Sequence, residues 1–176
     1  RRLLRERPII NTSTVSLDAL RKLPRNSLGR AYVAFLDSEA VTPDSRTPVK
    51  HMQDADEELR YVMLRYRQVH DFFHVLTGLG TSVEEELAVK WFELAQTGLP
   101  VAFLSGVVGP MRLSGTERKL LFSKHVPWLI QCGSSSKFLM NVYYEECFEL
   151  PLADVRSQLG IFLPSGFAPK DVLIQD

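Results

Sequence analysis

The chain has 176 residues, of which 45% are apolar and 24% are charged, so its composition is that of one globular domain and not of a disordered protein. Its 21 lysines and arginines balance its 21 aspartates and glutamates, which excludes a broadly basic protein that binds nucleic acid. Two cysteines are too few for a disulfide framework or a zinc site built from thiolates.

Both ends of the chain differ from its middle. Residues 1–13 begin with the basic run RRLLRER and are predicted to form an amino-terminal extension. This extension is either a solvated basic end or the remainder of a removed organelle-targeting segment, since such segments are rich in arginine. We expect a helical domain over residues 14–163 and a carboxy-terminal tail over residues 164–176.

The first half of the chain is predicted to contain two long helices. Ser27 can cap a helix over residues 28–40, which is followed by a loop with two prolines at residues 42–48. Asp54 can cap a helix that continues to Thr77, because apolar residues recur there at steps of three and four. Gly78 and Gly80 end this helix.

The second half of the chain is also predicted to be mainly helical. The run from Thr81 to Glu84 has the form of a capping box and starts a helix to residue 96, and Ser114 to Glu117 has the same form before residues 117–130. Pro151 and Gly160 suit the two ends of a last helix. Only residues 138–144 and 161–163 have the pattern of strands. We therefore predict an all-α fold: a single compact helical domain in which a candidate metal motif at His70 and His74 lies on a long central helix.

Residues 94–111 form a stretch of 18 residues without a charge. Three glycines and two prolines interrupt this stretch, so we do not expect it to form a membrane-spanning helix. We predict a short helix over residues 100–108. Its large apolar side chains are Val101, Phe103, Leu104, Val107 and Val108. One alternative is that they pack in the core. The other is that they form the wall of a site for a long apolar ligand or contact a bilayer surface.

Two of the four histidines, His70 and His74, are separated by four residues. On a helix this spacing places both imidazoles on the same face, one turn apart, where they can converge on one ion. The pattern of apolar residues places His70 and His74 at the edge of the apolar face of this helix, and Asp71 toward its polar face. The spacing resembles that of zinc helices with a His-Glu-x-x-His motif. Spacing alone also allows two half-buried histidines with ordinary hydrogen-bond partners.

A further ligand is expected from the three glutamates at residues 84–86, because the glycine turn allows the next helix to fold back beside the first. We expect Glu84 to cap its own helix. Glu86 is the favoured ligand, although the helical arrangement does not separate it cleanly from Glu85. Alternatively, Glu86 pairs with Lys90 and Asp71 pairs with Arg67 as exposed helix salt bridges.

The run His70-Asp71-x-x-His74, followed after eleven residues by Glu86, resembles the signature of the Coq-four family of ubiquinone (coenzyme Q) biosynthesis proteins. The resemblance extends over most of residues 14–161. It is carried by RYVM and RYR before the signature, and after it by KWFE, QTGLP, GP-x-RL, PW and N-x-YYE, which end at Glu145.

The resemblance implies a mostly helical protein in which His70, Asp71, His74 and Glu86 are the metal ligands, with Glu86 and Asp71 also taking part in catalysis. Two imidazoles and two carboxylates suit zinc, our first choice, or iron, manganese or cobalt. The reaction implied is oxidative decarboxylation at ring carbon one, in which a hydroxyl replaces the carboxyl group.

The alternative role is that of a non-catalytic scaffold that binds prenyl lipids and contains a structural metal. A metallohydrolase is the weakest of the hypotheses, because the further histidine and aspartate expected for it are missing. The partners implied are other ubiquinone-biosynthesis proteins in a multi-subunit complex, the prenylated quinone precursor, and a second copy of the chain as a homodimer, but no nucleic acid. The location implied is peripheral, on the matrix side of the inner mitochondrial membrane.

Overall fold

A computed structural model of the chain describes residues 2–45 and 56–170 and confirms the all-α prediction. Within these residues there is no strand, only an isolated bridge between Ser27 and Pro151. The two strand predictions are therefore wrong. Residues 139–141 and 144–146 each form one 3-10 turn, and residues 161–163 have no regular structure. Asp54 and residues 46–48 of the predicted loop lie outside the described residues.

The chain divides into two units. The first contains residues 1–72 and 140–155. Ser27 starts its third helix as predicted, since its side chain accepts a hydrogen bond from the N–H of Arg30. The helices that contribute to it are α1 (Arg2–Glu6), α2 (Leu17–Leu20), α3 (Leu28–Ser38), most of α4 (Glu57–Thr77) and the start of α9 (Leu152–Leu159).

A stack of aromatic rings forms part of the core of this first unit. Phe72 of α4 lies between Tyr32 and Tyr144, with ring centroids 4.2 and 4.1 Å apart. The guanidinium of Arg65 is fully buried beside the stack, where it donates to Glu145 at 2.7 Å and to the carbonyl of Val142 at 2.6 Å. These bonds satisfy much of a charge that would be costly to bury alone.

The second unit contains Phe73–Leu139 and continues from Arg156. Its helices include α5 (Val83–Thr97), α6 (Pro100–Val108), α7 (Gly115–Leu120) and α8 (Val126–Ser135). The helix predicted over residues 117–130 is found, but a π turn over Leu121–His125 lies within it and joins α7 to α8 without a break. Pro127 has no N–H to donate to the preceding turn, so the regular α-helical hydrogen bonds are interrupted there.

Helices α5 and α8 pack closely because Gly133 has no side chain. A Cβ atom at Gly133 would lie 2.9 Å from the Cβ of Ala95. Beside this contact the amide of Gln96 donates to the carbonyl of Gly133 at 2.6 Å and accepts from the N–H of Leu139 at 2.8 Å. These bonds fix α5 in the unit, and with it the glutamates of its first turn.

Candidate metal centre

Helix α4 places His70, Asp71 and His74 on two successive turns. His70 is 4% exposed and His74 is 1% exposed, and Asp71 is buried as well. The predicted position of Asp71 toward a polar, solvated side is therefore wrong. Residues 68–80 are buried without interruption, so the last turns of α4 are covered on every side and not only along the apolar stripe.

The turn after α4 fixes the orientation of His74. Gly78 has a φ of +71°, which other residues rarely adopt, and its N–H donates to the carbonyl of His74 at 2.8 Å. The chain then returns so that the Nδ1 atom of His74 lies 2.9 Å from the carbonyl oxygen of Gly80. A carbonyl can only accept, so Nδ1 carries a proton, and in the neutral ring Nε2 keeps its lone pair. This is the usual arrangement of a histidine that binds a metal.

The first turn of α5 is one residue later than predicted. Ser82 caps the helix and Glu85 completes the capping box, so the prediction that Thr81 and Glu84 have these roles is wrong. The carboxylate of Glu85 accepts from the Ser82 hydroxyl at 2.7 Å, from the N–H of Gly80 at 3.0 Å and from the Lys170 ammonium at 2.6 Å. Burial opposes the ionisation of Glu85, but these hydrogen bonds outweigh it and keep the pKa of the carboxyl below its ordinary value.

Glu85 and Lys170 together clamp the turn that orients His74. The backbone N–H of Lys170 donates to the carbonyl of Gly78 at 2.9 Å, while its ammonium binds Glu85. Because Glu85 also binds the N–H of Gly80, both ends of the glycine turn are fixed. We refer to Glu85 and Lys170 below as the turn clamp. Sequence reasoning missed this role for both residues.

Glu86 is the glutamate that approaches the histidines. Its Oε1 atom lies 3.6 Å from Nε2 of His74, the ring nitrogen that carries the lone pair. His70, His74 and Glu86 each offer one ligand atom, and these atoms all lie within 4.8 Å of one another. Two imidazole nitrogens and one carboxylate are suitable ligands for a divalent transition metal. The group can therefore hold a metal ion. Asp71 is not among these three residues.

Glu84 lies apart from this group. Its carboxylate is 3.7 Å from Nδ1 of His125, and burial is the main reason that the pKa of Glu84 is raised. The ring of His125 packs against Trp128 and Phe167. The three successive glutamates thus have three different environments, and Glu86 is the one that approaches His74.

A cavity of about 550 Å³ adjoins Glu86 in the second unit. One part of its lining is apolar and another part carries the cations Lys90 and Arg112. The ammonium of Lys90 donates to the buried carboxylate of Glu93 at 2.6 Å. The cavity is lined by Glu86, Leu87, Lys90, Leu104, Ser105, Val108, Gly109 and Arg112.

Helix α6 has the predicted bounds, and its large side chains are not in the core. Only Ala102 and Gly106 of this helix are buried. A Cβ atom at Gly106 would lie 3.1 Å from the indole of Trp91, so α6 rests on α5 through its small residues. The core-packing alternative is therefore wrong for the five side chains named in the prediction. All five are exposed, and Leu104 is 62% exposed. No helix in the part of the chain described here is long and apolar enough to cross a bilayer.

Comparisons with known proteins agree on one family. The family model described as "Coenzyme Q (ubiquinone) biosynthesis protein Coq4" matches residues 1–165. The chain is 47% identical over 162 residues to the mitochondrial ubiquinone biosynthesis protein COQ4 homolog of Bos taurus, and 47% identical over 164 residues to mitochondrial COQ4 of Laccaria bicolor. These matches include 92% and 93% of this chain but 60% and 54% of the relatives, so the chain spans little more than half of their length.

The fold is also similar to that of a solved structure. A crystal structure of a protein from Nostoc punctiforme superposes with a TM-score of 0.72 at 24% sequence identity. The match covers 90% of this chain and 72% of the other. At this identity the similarity supports the helical fold alone.

Proposed function

This chain belongs to the Coq4 family of coenzyme Q (ubiquinone) biosynthesis proteins, and on that premise we propose that it catalyses a metal-dependent step on the prenylated ring of the ubiquinone precursor. The step is oxidative decarboxylation at ring carbon one. The observation that carries this proposal is the position of Glu86, which approaches Nε2 of His74 and also lines a cavity with an apolar wall.

We assign the metal to His70, His74 and Glu86, with Asp71 as the fourth member of the set. Zinc is our first choice, and iron, manganese or cobalt also suit these ligands. When bound, such an ion would polarise a carboxylate or phenolic oxygen of the substrate. The hydrogen bond from Nδ1 of His74 to the carbonyl of Gly80 keeps the ring in position for this role.

The cavity residues match the two parts of the substrate. The precursor has a carboxylated aromatic ring and a long prenyl tail. Arg112 places positive charge in the cavity, where it would attract the ring carboxylate, whereas the ammonium of Lys90 is already paired with Glu93. Leu87, Leu104 and Val108 would contact the tail, and their apolar surface would keep water away from it. Asp71 and Glu86 remain the residues that we assign to catalysis.

The conversion is a two-electron oxidation. The bond from ring carbon one to the carboxyl carbon breaks, carbon dioxide leaves, and a new carbon–oxygen bond forms at the ring. Molecular oxygen is the oxidant we assign: water supplies the oxygen of the new ring hydroxyl, and the two electrons and two protons released reduce molecular oxygen to hydrogen peroxide. A bound zinc ion would only polarise the substrate in this step, whereas iron, manganese or cobalt would also exchange electrons.

The relatives are named mitochondrial proteins of ubiquinone biosynthesis. We propose the same location for this chain, as a peripheral protein on the matrix side of the inner membrane. We also propose that it associates with other enzymes of the pathway in a multi-subunit complex, and that two copies can form a homodimer.

A turnover assay tests the activity directly. The metal-free protein would be loaded with zinc, iron, manganese or cobalt in turn and mixed with a prenylated 4-hydroxybenzoate-type substrate in air. We expect carbon dioxide and the hydroxylated ring from at least one loaded form, and none from the metal-free protein or without oxygen. No product from any form would contradict the enzymatic proposal.

The second candidate function is that of a scaffold that binds prenyl lipids, with a structural metal. The exposed apolar side chains of α6 favour it, because they provide a surface for lipid independently of turnover. This role does not require Glu86 to take part in chemistry.

A further inference from the structure

Helix α6, the 3-10 turn after it (Gly109–Arg112) and the π turn before α8 carry several large apolar side chains that are exposed. We define the α6 surface as Val101, Phe103, Leu104, Val107, Val108, Met111 and Phe122, all of which are exposed. Phe122 belongs to it because its ring lies 6.2 Å from that of Trp91, the residue on which α6 rests. Apolar patches of this kind are uncommon on soluble proteins and usually mark a binding surface.

The composition of the α6 surface favours lipid over protein. Ser105 is the only side chain of α6 that contains a hydrogen-bonding group. Protein–protein interfaces usually contain several direct hydrogen bonds and a polar rim with both signs of charge. An interfacial membrane helix instead inserts an apolar face among the acyl chains and requires few polar contacts.

The charges that follow the α6 helix in the sequence have one dominant sign. Residues 112–124 contain four cations and a single carboxylate, although the whole chain has no net charge. That carboxylate, Glu117, accepts from the N–H of Ser114 at 2.8 Å in the capping box of α7. The cations are Arg112, Arg118, Lys119 and Lys124, and all four are exposed.

We propose that the α6 surface docks on a bilayer that contains anionic lipids, with the aromatic and aliphatic side chains among the acyl chains and the four cations at the headgroups. The proposal rests on the proposed function in that it names the surface and the lipid class of the peripheral membrane contact. Because Leu104 and Val108 also line the cavity next to Glu86, docking would place that cavity at the source of a prenylated substrate.

Vesicle co-flotation tests this proposal without any turnover. The purified chain would be floated with phosphatidylcholine vesicles that contain or lack phosphatidylglycerol. We expect binding to the anionic vesicles that weakens as salt is added, because exposed charges are screened. Absence of binding to anionic vesicles would overturn the proposal, and equal binding to both kinds of vesicle would overturn its charge component.

Two pairs of variants locate the contact. Phe103→Glu places a charge on the α6 surface at a side chain that is 53% exposed, and Leu59→Glu is the matched control on α4, where the side chain is 50% exposed. We expect Phe103→Glu to weaken vesicle binding about tenfold or more and Leu59→Glu to leave it unchanged. If Phe103→Glu does not fold, Phe103→Ser makes the same test. Equal binding by the Phe103 and Leu59 variants would overturn the proposal.

A second pair of variants tests the contribution of charge. The test variant carries both Lys119→Glu and Lys124→Glu, and the control variant carries both Lys22→Glu and Lys137→Glu, at exposed lysines elsewhere in the chain. The test variant should bind anionic vesicles about tenfold more weakly at low salt, and the control variant should not.

If the Phe103 variant instead disrupts a dimer in solution and leaves vesicle binding intact, the surface binds a second copy and the proposal is overturned. Glu86→Gln should not change vesicle binding, so failure of the catalytic proposal would be seen separately.

Discussion

Nε2 of His74 lies 3.6 Å from Oε1 of Glu86, while Nδ1 of the same ring faces the carbonyl of Gly80 at 2.9 Å. The second contact requires a proton on Nδ1, so in the neutral ring the lone pair of Nε2 points toward Glu86. The relationship joins the end of α4 to the first turn of α5 within twelve residues of sequence. It makes Glu86 both a metal ligand and part of the cavity lining in our proposal.

Replacement of Glu86 separates catalysis from scaffolding. Glu86→Gln retains the size of the side chain and removes its negative charge, so the enzymatic proposal predicts a folded protein that still joins its partners but has lost at least about a hundredfold in turnover. Circular dichroism, a partner pull-down and the decarboxylation assay would be made on one preparation, with Glu58→Gln as a surface control. Full turnover by Glu86→Gln with an empty metal site would contradict the metal-dependent step, and partner binding without turnover in the wild type would favour the scaffold.

Loss of the turn clamp should weaken metal binding although neither clamp residue is a ligand. Lys170→Met leaves Glu85 without its ammonium partner, and Glu85→Gln removes the charge that this ammonium binds. Residues that orient a ligand through a second contact typically contribute about 10- to 100-fold to metal affinity. We expect a loss of this size in a competition titration with a chelating dye. Lys137→Met is the control, and an affinity unchanged from wild type in both clamp variants would show that the turn needs no clamp.

The stability of the second unit should depend on the protonation of His125. Burial is the main cause that lowers the pKa of His125 below its ordinary value of 6.5, with Lys124 acting in the same direction and Glu85 against it. The unfolded chain therefore binds the proton more readily, and the stability contributed by neutral His125 is lost as pH falls through 6.5 toward the lower folded pKa.

Urea unfolding at pH 7.5 and pH 5.5 measures this effect of His125. His125→Phe retains an aromatic ring against Trp128 and Phe167 but cannot titrate. We expect the wild type to lose more unfolding free energy between the two pH values than the variant does. Identical losses in the two proteins would mean that His125 does not contribute to the pH dependence.

Leu104→Glu tests the apolar wall of the cavity. Because this side chain is largely exposed, the substitution should leave the thermal unfolding temperature nearly unchanged. A new carboxylate near Glu86 should repel a carboxylated prenyl-aromatic ligand and weaken its binding about tenfold or more, measured by fluorescence or calorimetry. Ile130→Glu on α8, another exposed apolar position, is the control. A large fall in the unfolding temperature would place Leu104 in the core after all.

The features that local sequence determines were predicted well. The Ser27 and Ser114 caps, the bounds of α6 and the glycine at the end of the last helix all follow from side chains within one turn of the backbone they contact. The same holds for the two histidines, since the helical period alone places them on one face. The π turn was missed because it depends on how α7 and α8 join, for which the residues near Pro127 give only an indirect signal.

The choice among the three glutamates shows where local reasoning was incomplete. Placing the cap at Thr81 instead of Ser82 left Glu85 and Glu86 hard to separate. With Ser82 as the cap, Glu85 is occupied by the capping box and Glu86 is the residue that remains to face the histidines. The Lys170 contact could not be predicted, because it joins residues 85 positions apart. The burial of Asp71 likewise depends on tertiary packing that helical periodicity does not contain.

Metal content is the measurement that tests the central claim most directly. Protein prepared in metal-replete medium without chelator would be analysed by mass spectrometry for bound elements, as wild type, His70→Ala, His74→Ala and His125→Ala. We predict about one divalent ion per chain in the wild type and in His125→Ala, and little or none in the other two variants, because each imidazole is a large share of a small ligand set. A full equivalent of metal in His74→Ala, or none in the wild type, would contradict the assignment of this site.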